Sequence, residues 1–137
     1  MKGLNQLKQE QGSQVLEFIL VAPLVWLLFL FAVDQFTIMY NKQQALSAAY
    51  EAGRIACVQP NAGLARYHGS QKGREQLQQA IGMESGEVTI SPRGQWQKGS
   101  HLISNAQIQF RLLASGQPYV VKESYSMMIE NAEDKSQ

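Results

Sequence analysis

Glu17 is the only ionisable side chain across residues 15–33, and Gly12 and Ser13 stand just before that run. A lone carboxylate in an apolar stretch has no second acid beside it for acid–base work. What it can do is accept a cation or hold a register. In the middle of a membrane helix such a charge costs about 2.5–3.5 kcal/mol, and less near the end, where it reaches the headgroups. A helix N-terminus also favours an anion. The other chemically capable residues do not assemble. His68 and His101 are isolated, with no Cys or acid at metal-ligand spacing. Cys57 and Ser100-His101 compose no nucleophile–base pair. No glycine-rich phosphate loop is present, because 94–99 reads as a turn-rich loop. Arg66, Lys72 and Arg74 with Tyr67 form a small basic cluster that reads as solvated surface.

The elements that must position Glu17 follow from hydropathy. Residues 18–33 carry no charge. At ~1.5 Å per residue, residues 15–33 span roughly the ~30 Å hydrocarbon core of a bilayer. The run is longer than the apolar region of a secretory signal, and no small-x-small site closes it around Ala32. Pro23 falls in its first turns, which membrane helices tolerate. Trp26 lies too deep for an interfacial anchor, and Tyr40 suits that role better. Before the run, residues 1–12 are short, polar and weakly positive, with Lys2 and Lys8 against Glu10. Basic residues on the short side favour a cytoplasmic N-terminus.

The helical period continues beyond Val33. Phe36, Met39, Tyr40, Gln43, Leu46, Ala49, Tyr50, Gly53, Ala56 and Cys57 recur at three- and four-residue steps. One helix over about residues 15–57, roughly 65 Å long, is expected, half in lipid and half an amphipathic stem. Gln59, Pro60, Asn61 and Gly63 end it. Residues 61–73 read as a loop and 74–82 as a short helix stopped by Gly82. Strands are expected over 87–91, 101–114 and 118–129, with a turn at 115–117. In the last strand Tyr119, Val121 and Met127 share a face, with Val120, Tyr125 and Ile129 out of phase. Trp96, Phe110, Tyr119 and Tyr125 are expected to form the core, and 130–137 to fray. The fold class is α+β: a long N-terminal helix followed by a small antiparallel sheet. The organisation is a leader (1–12), a transmembrane helix (13–33), a stem (34–58) and a small α+β unit (59–137).

Composition excludes some functions. The chain has 137 residues and a net charge of +1, so no basic balance argues for nucleic acid. Cys57 is the sole cysteine, so no intrachain disulfide forms, and beside Ala52, Ile55, Ala56 and Val58 it reads as a small packed hydrophobe.

Gly12-Ser-Gln-Val-Leu-Glu17-Phe18 resembles the processing site of type IV prepilins, in the form used by the Flp/Tad pilus system. The likeness continues through Glu17-Phe18-Ile-Leu-Val-Ala-Pro23, the leucine-rich run, Asp34, and Ala48-Ala-Tyr-Glu-Ala-Gly-Arg-Ile-Ala56. This pattern is similar to TadE-like pseudopilins over residues 12–58. It departs at Tyr50-Glu51-Ala52-Gly53-Arg54, where the family order is more often Arg-Glu-Gly-Ala-Arg. The resemblance implies a pilin-like minor pseudopilin that catalyses no reaction and binds no cofactor. It implies a prepilin peptidase that cuts between Gly12 and Ser13, and assembly roles for Glu17, Phe18 and Pro23. The implied partners are other pilins or pseudopilins, membrane lipid and an inner-membrane assembly platform. The implied place is the bacterial inner membrane, N-terminus in the cytoplasm and residues 34–137 outside. The alternative is a single-pass membrane-anchored binding or adaptor domain that is never processed.

Overall fold

The computed structural model describes residues 2–133, with side chains from residue 12 onward. Five elements follow in order: α1 (Lys2–Ala56), α2 (Ala62–Leu77), β1 (Met83–Pro92), β2 (His101–Arg111) and β3 (Pro118–Met128). The expected α+β class is what forms. The three strands make one antiparallel sheet in the order β1-β2-β3. Both helices cover one face of it, and the other face is open.

α1 is longer than expected, because it starts at Lys2 and not near Val15. The leader's lysine side chains, Lys2 and Lys8, lie outside the described residues. Pro23 sits inside α1, and the helix runs on through it.

The stem packs through a face other than its large apolar residues. Asp34, Thr37, Asn41, Ala45, Ala48, Ala49, Ala52 and Ala56 are buried, at three- and four-residue steps. Phe36, Met39 and Leu46 point outward, Phe36 and Met39 more than 60% exposed. The reason is distance: alanine lets the helix backbone approach the sheet, where a Phe or Leu would hold it off.

α2 replaces the expected loop at 61–73 and the short helix after it. Asn61 caps it, its side-chain oxygen accepting the Leu64 N–H at 3.0 Å. Gly69 and Gly73 look like breakers, yet with Ala65 and Leu77 they form its buried face. A Cβ on Gly69 would stand 2.9 Å from the Ala52 carbonyl oxygen, and one on Gly73 2.6 Å from Val88 Cγ1. The missing side chains let α2 close on α1 and β1 at once. α2 ends at Leu77, and Gly82, at φ 65°, turns the chain into β1.

β2 is the central strand and its pattern is strict. Leu102, Ser104, Ala106, Ile108 and Phe110 face the helices. Val88 and Ile90 join them from β1, and Val121 and Ile129 from β3 and just beyond. The pairing Ser104↔Tyr125 puts Tyr125 on this face too. Tyr125 and Ile129 are therefore in phase with Val121 and Met127, contrary to expectation. β1 is longer than the expected 87–91, with a register shift between Met83 and Ser85, and β2 is shorter than 101–114. Of the four aromatics expected in the core, Phe110 alone is fully buried; Trp96 is half-buried, and Tyr119 and Tyr125 sit at the rim.

Residues 130–133 do not fray. Glu130 and Asn131 donate their N–H groups to the Cys57 carbonyl (2.9 and 3.2 Å), and Glu133 donates to Pro60 (2.7 Å). The Trp96 indole N–H is shared between the carbonyls of Gln59 and Asn131, each at 3.1 Å. The end of α1, the 92–100 loop and this segment are tied together. Residues 134–137 lie outside the described residues.

Candidate functional site

The strongest functional signal is the N-terminal part of α1 and its junction with the sheet. An 18-residue window within Gly12–Ala56 has a mean hydropathy of 2.5, and none of that window is buried inside the fold. Phe18, Leu20, Leu24, Trp26, Leu27, Leu28 and Phe31 are all more than 55% exposed. Exposed apolar surface on this scale marks a partner or a membrane. The helix is long enough to cross a bilayer, and it points to single-pass anchoring. Trp26 and Phe29 stack at 5.6 Å between centroids, a contact within the helix surface itself.

The sequence-derived site residues all fall on this rod. Gly12 is helical, and no atom stands within 4 Å of where its Cβ would be. Its φ is not positive either. Glycine inside a helix costs about 1 kcal/mol against alanine, and neither packing nor backbone geometry calls for it here. Ser13, Glu17, Phe18 and Pro23 are exposed. Glu17 makes no salt bridge among the described residues.

The junction is built from two polar side chains that sequence reasoning missed. Asp34, buried directly after the apolar run, accepts the N–H groups of Ala114 (2.8 Å) and Ser115 (3.2 Å) from the β2–β3 turn. The Ser115 side chain, first, and these two amides hold its carboxyl below the ordinary aspartate value, although burial pushes the other way. Two turns later Asn41, fully buried, donates to the Ile81 carbonyl and accepts the Ile81 N–H, both at 2.8 Å. The signal for both was a polar residue at helical spacing with the alanine face. It is legible only once that face is known to be the buried one.

The stretch Ala48–Ala56, which carried part of the resemblance, has a physical task in the single chain. Ala48, Ala49, Ala52, Gly53 and Ala56 are buried against the sheet and α2. A Cβ on Gly53 would stand 3.2 Å from Met127 Sδ and 3.6 Å from Ser104 Cβ. Arg54 is exposed and pairs with Glu51 at 2.9 Å. Cys57 is buried at 5% exposure, its thiol pushed up by burial first and then by the Glu130 charge.

Elsewhere the chemistry stays dispersed. His68, on α2, and His101, at the start of β2, are exposed, and His68 stacks edge-on against Tyr67 at 5.1 Å. Among the described residues no group of three or more His, Cys, Asp or Glu side chains is placed to hold a metal. Arg66, Tyr67 and Arg74 lie on the outer face of α2, and Lys72 pairs there with Glu75 at 3.1 Å.

No curated protein and no solved structure matched the chain. Residues 12–54 match the model of a family described as TadE-like protein. The matched segment lies on the rod, the apolar span and the alanine face that carries the sheet, and over it the chain is similar to TadE-like proteins.

Proposed function

We propose that this protein is a minor pseudopilin of a Tad-type pilus, processed after Gly12 and assembled through α1. The TadE-like match supports a component associated with that pilus. The observation that carries the finer reading is Gly12: a glycine the fold does not need, five residues before the single acid of an exposed apolar helix. A prepilin peptidase would hydrolyse the Gly12–Ser13 bond. Water is consumed, Gly12 leaves with a carboxylate, and Ser13 keeps a new ammonium group.

Cleavage removes Lys2 and Lys8 and so detaches the basic anchor of the cytoplasmic side. The Ser13 ammonium and the Glu17 carboxylate then stand one helical turn apart. In a dry bundle of such helices a wrong register leaves a charge unpaired, which costs far more than in water. Glu17 thus sets the axial register against a neighbouring pilin or pseudopilin, with Phe18 and Pro23 shaping the same contact. Before assembly the protein sits in the bacterial inner membrane, N-terminus in the cytoplasm and sheet outside, beside the assembly platform. Its work is packing and recognition.

The intact mass of the protein extracted from its native membrane tests this. Loss of residues 1–12 is the expected result. A chain that still begins at Met1 or Lys2 leaves a single-pass anchored binding domain instead. Gly12→Leu should accumulate an uncut, slower-migrating form. Glu17→Ala should be cut and inserted normally yet fail to enter the assembly. Normal piliation by Glu17→Ala would remove the register role.

A further inference from the structure

The β2–β3 turn has no task in the reading above, yet its height along α1 is fixed. Asp34 holds Ala114 and Ser115 at 2.8 and 3.2 Å, one residue beyond the end of the apolar run. The turn is itself closed by Gly116 N–H to the Leu112 carbonyl and Leu112 N–H to the Gln117 carbonyl, both 3.0 Å. It is therefore a rigid tip. Leu113, next to the clamped Ala114, is 57% exposed at that tip.

Burial along α1 shows how far the folded part reaches. Leu24 to Phe29 are all at least 55% exposed, whereas Leu30 and Val33 are half-buried. The folded part overlaps the last turn of the segment that lipid must cover. Phe36, 61% exposed, stands two residues further along the rod, ~3 Å in height. Tyr119, 41% exposed, opens β3 beside the turn. Arg111, at the foot of the turn, is exposed and reaches the Gly116 carbonyl and Glu84. Leu113 and Phe36 thus lie close to the end of the apolar run, while Arg111, bonded to Gly82 beside the Asn41-held Ile81, and Tyr119 lie further along the rod, on the headgroup side, where a membrane interface selects aromatic and basic residues. A membrane surface is a plane, so what matters is height along the rod and not the side on which each residue sits.

We infer that the β2–β3 turn is a second membrane contact, with Leu113 seated at the headgroup–acyl boundary of the phospholipid bilayer that receives residues 13–33. The occupant follows from continuity: the lipid that covers Leu28 and Phe31 extends to the level of the turn. The Asp34 clamp makes this possible. With its oxygens bonded inside the fold, the carboxylate needs no water shell, and the boundary can lie over it. The inference rests on single-pass anchoring but not on processing or on pilus assembly.

The test is site-directed spin labelling of the full chain in phosphatidylcholine–phosphatidylglycerol vesicles at high lipid excess. Single cysteines replace Leu113, Leu20 and Ser124, in a Cys57→Ala background whose fold is checked by circular dichroism. Collisions with oxygen report lipid, and collisions with a water-soluble nickel chelate report solvent. Leu113→Cys should lose most nickel collisions relative to Ser124→Cys, on the open face of the sheet, while keeping oxygen collisions, as Leu20→Cys does. Nickel access equal to that at Ser124 would overturn the proposal. So would shielding from both reagents, which would mean that a second protein surface covers the turn. If Leu20→Cys is itself in water, the anchoring falls along with the proposal. A deep Leu20 with a wet Leu113 removes the proposal alone.

Discussion

Asn41 and Ile81, forty residues apart, are joined by a reciprocal pair of 2.8 Å hydrogen bonds, the Asn41 amide giving to the Ile81 carbonyl and taking from its N–H. The side chain behaves as a piece of backbone. It satisfies a connection between α2 and β1 that no strand or helix satisfies. Asn41→Ala should cost about 2 kcal/mol, two net hydrogen bonds. Thermal denaturation of the full chain in detergent micelles measures it, and Asn41→Asp should recover only part because it lacks the donor.

Gly73→Ala should destabilise by about 1–3 kcal/mol, because the new methyl meets Val88 Cγ1 at 2.6 Å. Val88→Ala would make room. The double variant should therefore lose less than the two single losses added together. Gly69→Ala has no such rescue, since its obstacle is the Ala52 carbonyl oxygen of α1 itself.

These glycines also show why part of the fold was illegible in sequence. Glycine is the usual mark of a loop, and 61–73 holds three of them. Here Gly69 and Gly73, with Ala65 and Leu77, lie at four-residue steps and form one helix face. The same inversion applies to α1. A sequence reading gives the inner face to Phe36 and Leu46, since large apolar residues are normally buried. Close helix–sheet approach instead selects alanine, and the large residues remain outside. The apolar run, the long helix, the central alternation of β2 and the hairpin that follows were legible, because each is a strong local period. Asp34 and Asn41 were not: each meets a partner at least forty residues away, and no local pattern encodes that.

Ser104 faces the helices from the middle of β2, fully buried, and its hydroxyl has no hydrogen-bond partner among the described residues. Ser104→Ala removes an unsatisfied polar atom and leaves nearly the same volume. It should stabilise the protein by about 1 kcal/mol. A melting temperature at or below that of the parent would show the hydroxyl to be satisfied in solution.

Asp34 predicts a pH dependence with a definite sign. Its carboxyl is held below its ordinary value in the folded chain. The stabilisation is complete above the unfolded-chain value and is lost as pH falls through the lowered, folded value. Melting temperatures of the parent and of Asp34→Asn, followed from neutral to about pH 3, should differ most at neutral pH, and the gap should narrow as pH falls below the ordinary aspartate value. A constant gap would mean that the charge contributes nothing beyond shape.

α1 passes from its exposed apolar half into the alanine-lined packing of the sheet as one uninterrupted helix. With the Asp34 and Asn41 clasps seated on that rod, the anchor and the sheet have no joint between them. A tilt, rotation or axial push that a bilayer or a neighbouring subunit imposes beyond Pro23 is passed along this helix to the sheet. The sheet would then serve as a pointer, and its attitude would reveal the mechanical state of the apolar half.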